Sequence, residues 1–324
     1  MRIPRIKIPS AESAAVYHCI SRTVNGERLF GDAEAEMFRK QMWQVAEFCG
    51  VEILTYAVMS NHFHILVRVP KAVTVSDAEL LRRHRVLHPK PTKYQAAKFE
   101  FLKQQLAADG DAAAAKRWRK QQFALMGDVS QFMKLLKQRF SIWFNKTHER
   151  FGALWSERFK SVLVENSAAL TVMAAYIDLN PVRAGLSTDP KDYRYCGYAE
   201  AVAGNKRLRA ALTMMFGQKE WKAAHDYYRR LLFDSGGKKK NNLASLSAAR
   251  VKKVLAAQGS LSAAELLRCR VNYFTNGAVL GGKAFVTEQL QRYRQFIGSR
   301  KKTPPRMLPN LTVSGELAVL RGGF

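Results

Sequence analysis

The sequence is poor in features that would place it outside the cell or in a membrane. Four cysteines in 324 residues, Cys19, Cys49, Cys196 and Cys269, form no CxxC pair and no regular spacing, so neither a disulfide framework nor a cysteine zinc site is expected. No apolar run approaches the ~20 residues that span a bilayer, and the opening MRIPRIKIPS is too polar for a signal segment. A soluble cytoplasmic, nucleoid-associated protein is the expectation, with no membrane partner.

Acidic residues are scarce as well. Against 26 Asp and Glu stand 53 Lys and Arg, a net charge of +27. Solubility does not require this much charge of one sign, and nucleic acid is the default partner of such a chain. The excess is uneven: residues 201–324 hold 23 basic and 6 acidic residues, residues 1–200 hold 30 and 20.

Hydrophobic spacing predicts the order β-α-β-β-insert-α-β-α. Strand-like alternation covers 16–24, and DAEAEMFRKQMWQVAEFCG opens on Asp32 and closes on Gly50 with helical spacing. Two strands, 51–59 and 62–69, are joined by the polar pair Ser60-Asn61. Residues 75–125 are helical in composition, highly charged and broken by Pro89 and Pro91, as expected of an inserted basic arm. Helix at 128–148, strand within 152–166 and a Ser-capped helix at 167–179 complete the set.

This order implies an α+β fold, a ferredoxin-like antiparallel sheet with helices on one face. Three parts are expected: residues 1–200 with the insert at 75–125, an all-helical basic region at 205–300 suited to DNA binding, and a flexible basic tail at 301–324. Within the second part, helices are expected at 219–233, 246–258, 262–273 and 282–297, with a basic linker at 234–242. Trp221, Tyr227, Tyr228, Tyr273 and Phe274 lie among Lys and Arg there, as base-stacking residues sometimes do, although core packing is the commoner use of such aromatics.

Chemistry concentrates in two stretches. In MSNHFHILV, His62 and His64 alternate with Phe63, so strand geometry points both imidazoles to one face, roughly 6–7 Å apart at Cα, while Phe63, Ile65 and Val67 enter the core. Two imidazoles that close can share a metal ion; taken alone, the pattern also suits two half-exposed histidines beside a turn. In AAYIDLNPVRAGL, Tyr176 and Asn180 are four apart and share a helix face, and Pro181 ends the helix near Asn180.

Together YHCISRTVNGERLF, YAVMSNHFHILVRVP, LWSERFKSVLVEN and YIDLNPVRAGL resemble the HUH-type single-tyrosine transposases, and among them the REP-associated tyrosine transposases, over roughly residues 14–187. The resemblance implies that His62 and His64 are metal ligands and that Tyr176 is the nucleophile. It makes Asn180, where many relatives carry Gln, the third ligand. It further implies a divalent cofactor, Mg²⁺ or Mn²⁺, although imidazole ligands would also suit Zn²⁺, and single-stranded DNA with hairpin or palindromic repeats as substrate. A 5′-phosphotyrosine intermediate and a possible homodimer follow from the same likeness. Arg22, Arg158, Lys160 and Arg183 are the candidate phosphate contacts. Two other readings of the same motifs are a DNA-binding regulator that has lost catalysis, and a nickase of the replication-initiator or relaxase type.

Overall fold

The computed structural model describes residues 5–109, 113–166, 168–233, 273–297, 306–307 and 317–321. Strand β1 (Ala15–Arg22) leads into helix α1 (Asp32–Cys49), whose first turn is closed by the Gly31 N–H donating to Glu34 Oε2 at 2.9 Å. Its other end stops at Gly50, where φ of +67° supplies the left-handed residue that a helix C-terminus favours. Strands β2 (Glu52–Val58) and β3 (His62–Val69) form the hairpin expected around Ser60-Asn61, with a bulge between Ile53 and Thr55. After the insert, α5 (Val129–Thr147) begins at Asp128, whose carboxylate accepts from the Ser130 and Gln131 N–H groups at 2.7 and 2.9 Å. Strand β4 (Lys160–Val164) and helix α6 (Ala168–Asp178) follow.

The first four strands stand in the order β2-β3-β1-β4, every pair antiparallel, which is the ferredoxin-like arrangement. Helices α1 and α5 share one face. Phe38 of α1 meets Phe63 at 4.5 Å between ring centroids and Phe140 of α5 at 5.2 Å, so the odd-numbered side chains of β3 pack into an aromatic core. The opposite face is not left to solvent. Helix α6 lies across β2 and β3 there, and residues 169–178 are buried on every side because α10 (Trp221–Phe233) also contacts the helix. This explains why α6 is apolar all round rather than striped.

The insert comprises α2 (Asp77–Leu87), α3 (Lys93–Asp109) and α4 (Ala113–Phe123), with the break at Pro89 and Pro91 between the first two. It encloses a small core of its own, Leu80, Leu102, Leu106, Ala115 and Trp118, and is tied to α1 by Arg82 on Glu47 at 2.6 Å.

After α6 come the one-turn helix α7 (Asn180–Arg183), α8 (Gly197–Val202) and α9 (Lys206–Met215). Gly197 presses against β2 so closely that a methyl group there would lie 2.3 Å from Thr55 Oγ1 and 2.9 Å from backbone atoms of Thr55 and Tyr56.

The region beyond residue 205 is helical at α9, α10 and α12 (Lys283–Ile297), yet not purely so. The short helix α11 (Tyr273–Asn276) leads into strand β5 (Gly277–Gly282), which pairs parallel to β4. Strand β7 (Leu317–Arg321) then pairs antiparallel to β5, and the two-residue β6 (Arg306–Met307) pairs with β7. Among the described residues the sheet therefore has seven strands, and the β4 edge is covered by the chain's own C-terminal part rather than exposed. Part of the tail expected to be flexible is sheet. Runs as short as AVLGG and LAVLR carry too little periodicity to declare themselves as strands. The expected linker at 234–242, the helix at 246–258 and all but the last residue of the helix expected at 262–273 lie outside the described residues.

Candidate functional site

Strand pairing assembles the site. In the β1–β3 register Ile20 faces His64 and Arg22 faces His62; in the β1–β4 register Lys160 faces Ile20 and Val162 faces His18. Partners across an antiparallel pair share a face, so His18, Arg22, His62, His64 and Lys160 all lie on the side covered by α6. The expected shared face of His62 and His64 is present, but it is an interior one: His64 is 2% exposed, and only His62 is half-open.

From α6, Tyr176 comes down onto this face. Its ring stands edge-on to His64 with centroids 5.9 Å apart and to His18 at 6.0 Å, while His62 and His64 are 5.1 Å apart. Residues more than a hundred positions apart in sequence thus meet in one place. Tyr176 is only 6% exposed, because the Phe274 ring of α11 lies over it at 4.7 Å.

Hydrogen bonds restrict the histidines. His62 Nδ1 lies 2.7 Å from Asn61 Oδ1, and Asn61 Nδ2 donates to the Gly26 carbonyl at 2.9 Å, which fixes the amide's orientation. His62 Nδ1 is therefore the donor, and in the neutral ring Nε2 carries the lone pair. His64 Nδ1 lies 2.8 Å from His18 Nε2, with the two rings stacked at 18°. Burial pushes His18 down to about 3, and burial, followed by the charges of His18, His62, Arg183 and Arg22, holds His64 well below the usual imidazole range. Both rings are neutral at pH 7.

The other predicted residues are distributed unevenly. Asn180 Nδ2 donates to the carbonyls of Tyr176 at 3.1 Å and Ile177 at 3.2 Å, closing the C-terminal end of α6, so Oδ1 is the atom it has to offer a ligand. Arg183 also donates to the Tyr176 carbonyl, and its guanidinium lies over the Tyr176 ring at 4.3 Å. Arg22 and Arg158 are exposed, and Lys160 pairs with Glu157 at 3.1 Å. Tyr228 and Phe274 are core side chains rather than stacking surfaces, and Trp221 and Tyr227 pack partly against the core.

The donor set suits a divalent cation. In their neutral forms His62 and His64, bonded through Nδ1, carry the ring lone pair on Nε2, and Asn180 carries an amide oxygen at the end of α6. No group of three or more His, Cys, Asp or Glu side chains able to hold a metal occurs among the described residues.

His18, Asn61 and Asp178 escape sequence reasoning. Asp178 stands two residues after Tyr176, hence on the other side of α6, and is wholly buried. It accepts from the hydroxyls of Thr55 at 2.7 Å and Tyr228 at 2.6 Å, and from the Cys196 thiol and the Tyr198 N–H, each at 3.3 Å. The carboxylate thereby bolts the tyrosine helix to β2, α8 and α10.

Burial pushes the Asp178 carboxyl up to about 6 despite those donors. A folded value above the unfolded one means that this group's stabilisation is present below pH 4 and is lost as pH rises through about 6. In urea titrations, the stability of wild type relative to Asp178→Asn should therefore fall by about 2 kcal/mol from pH 4 to pH 7. A difference independent of pH would show that the carboxyl titrates normally.

Comparison with known proteins bears on residues 11–79, which match the family model described as transposase IS200 like. That segment contains β1, α1, β2 and β3 and, with them, both histidines of the HxH pair. No curated protein matches the chain. Among solved structures, one of a REP-associated tyrosine transposase bound to a REP hairpin aligns with 63% of this chain and 86% of that one, at 16% identity and a TM-score of 0.37. No helix among the described residues is long and apolar enough to cross a membrane.

Proposed function

We propose that this protein, similar over residues 11–79 to the IS200-like transposases, is a metal-dependent enzyme that nicks and rejoins single-stranded DNA at hairpin or REP-like sequences. The observation that carries the reading is the meeting of Tyr176 with the His62–His64 pair, 5.9 Å from the His64 ring, on the face that also presents Arg22 and Lys160.

In the proposed reaction Tyr176 Oη attacks the scissile phosphorus and the P–O3′ bond breaks. The phenol gives up its proton, and the departing 3′ oxygen takes one up. One phosphoester replaces another, so a 5′-phosphotyrosine forms and rejoining requires no nucleotide cofactor. With a reference pKa of about 10, a phenol needs a proton acceptor or an activated phosphate. A divalent cation bound by His62, His64 and Asn180 would supply positive charge at a non-bridging phosphate oxygen. The chain's own residues do the rest. Asn180 and Arg183 hold the α6 end through the Tyr176 carbonyl, Asp178 locks the helix from behind, and Arg22 and Lys160 offer charge to the flanking phosphates.

Strand entry fits the half-open His62 side. The cover that Phe274 lays over Tyr176 favours a second reading, a DNA-binding protein without turnover, and one assay separates the two. Incubation with hairpin-containing single strands and Mn²⁺ should give protein–DNA adducts that survive denaturation and disappear with EDTA. Binding without adducts under any divalent ion would favour the regulator. In either case affinity should fall steeply with salt if phosphate contacts dominate.

A further inference from the structure

We infer that His18 is a positioning residue: through its hydrogen bonds to the Phe274 carbonyl and to His64 it sets which nitrogen of His64 faces the site. A carbonyl oxygen can only accept, so at 2.9 Å from the Phe274 oxygen, His18 Nδ1 must carry the proton. Neutral His18 then has a bare Nε2, and the His64 Nδ1 at 2.8 Å is left as the donor. One proton arrangement satisfies the whole chain: Phe274 C=O accepts from His18, His18 accepts from His64, and His64 keeps its lone pair on Nε2. Asn61 imposes the same tautomer on His62 by a different route.

Both sheet histidines are thus held in the form whose Nε2 can bind a cation. For His64 the anchor is a main-chain oxygen of the C-terminal part, 256 positions from His18. Partners of this kind fix ring orientation and raise ligand basicity, and losing one typically costs about 10–100-fold in metal affinity. His18 is not placed to touch substrate; it acts through His64. The functional half of the inference rests on the metal-site reading above, whereas the tautomer half does not.

Two readouts keep these halves apart. In metal-free protein carrying ¹⁵N-histidine, long-range ¹H–¹⁵N correlation should show His64 protonated at Nδ1. Mn²⁺ titration followed by EPR of the free ion gives affinity. Glutamine can copy both roles of His18, donating from its amide nitrogen to Phe274 and accepting on its oxygen from His64. His18→Gln should therefore keep the tautomer and stay within about threefold of wild-type Mn²⁺ affinity. Leucine can do neither, and asparagine is long enough only for the Phe274 bond. His18→Leu and His18→Asn should lose the single tautomer and bind Mn²⁺ about 10–100-fold more weakly. Asparagine serves if the leucine variant does not fold. Wild-type His64 protonated at Nε2, or a folded His18→Asn protein with wild-type tautomer and affinity, would overturn the inference. If His62→Ala leaves Mn²⁺ binding unchanged, the metal reading itself fails and takes the functional role of His18 with it, while the tautomer result stands.

Discussion

Tyr176→Phe is expected to reduce covalent protein–DNA product by about 10⁴-fold or more while hairpin binding stays within about twofold. The substitution removes one oxygen and keeps the ring, so the contacts with Phe274 at 4.7 Å, His64 at 5.9 Å and the Arg183 guanidinium at 4.3 Å persist. Thermal unfolding should accordingly change by no more than a few degrees. Denaturing gels report the adduct and fluorescence anisotropy the binding. Adducts formed at the wild-type level would show that another residue is the nucleophile, and parallel loss of binding and adduct would show that the hydroxyl serves only to hold the fold or the DNA.

The second large effect concerns the histidines, which should separate by their burial. His62 is half-exposed and hydrogen-bonded to the neighbouring Asn61, so His62→Ala should weaken Mn²⁺ binding by about 100-fold or more and abolish adduct formation with little change in stability. His64 is buried and bonded to His18. His64→Ala should produce the same functional loss and, in addition, a stability loss of about 1–3 kcal/mol, because it opens a cavity and leaves His18 Nε2 unsatisfied in the interior. Urea unfolding and metal titration on the two variants test this. Equal destabilisation by both changes would contradict the placement of His62 at the open side.

Much of the fold was legible because its elements are strongly periodic. The hairpin strand 62–69, the helix from Asp32 to Gly50 and the helix around 128–148 lie within a residue or two of their expected bounds. Each combines an unambiguous period with a marked end, such as Asp128 or Gly50. The candidate site was legible to the extent that its residues sit in two compact stretches. What remained hidden depends on register. Nothing in YHCISR says that the even-numbered residues of β1 will lie beside His64 rather than against the aromatic core; a one-residue slip would have sent His18 to the other face. Asp178 in YIDLNP looks like an ordinary helix-end carboxylate until Thr55, Tyr228 and Cys196 arrive from three other elements. Phe274 could not have been placed over Tyr176 at all, since that contact follows from β5 joining the β4 edge.

A cation site between the paired imidazoles and the phenol is central to the proposed chemistry. Crystals soaked in Mn²⁺ and measured near the manganese edge test it most directly. An anomalous peak bonded to the Nε2 atoms of His62 and His64, on the side toward Tyr176 and within reach of Asn180 Oδ1, is the predicted result. A peak on the Nδ1 side, or full manganese occupancy elsewhere with none at these two rings, would contradict it.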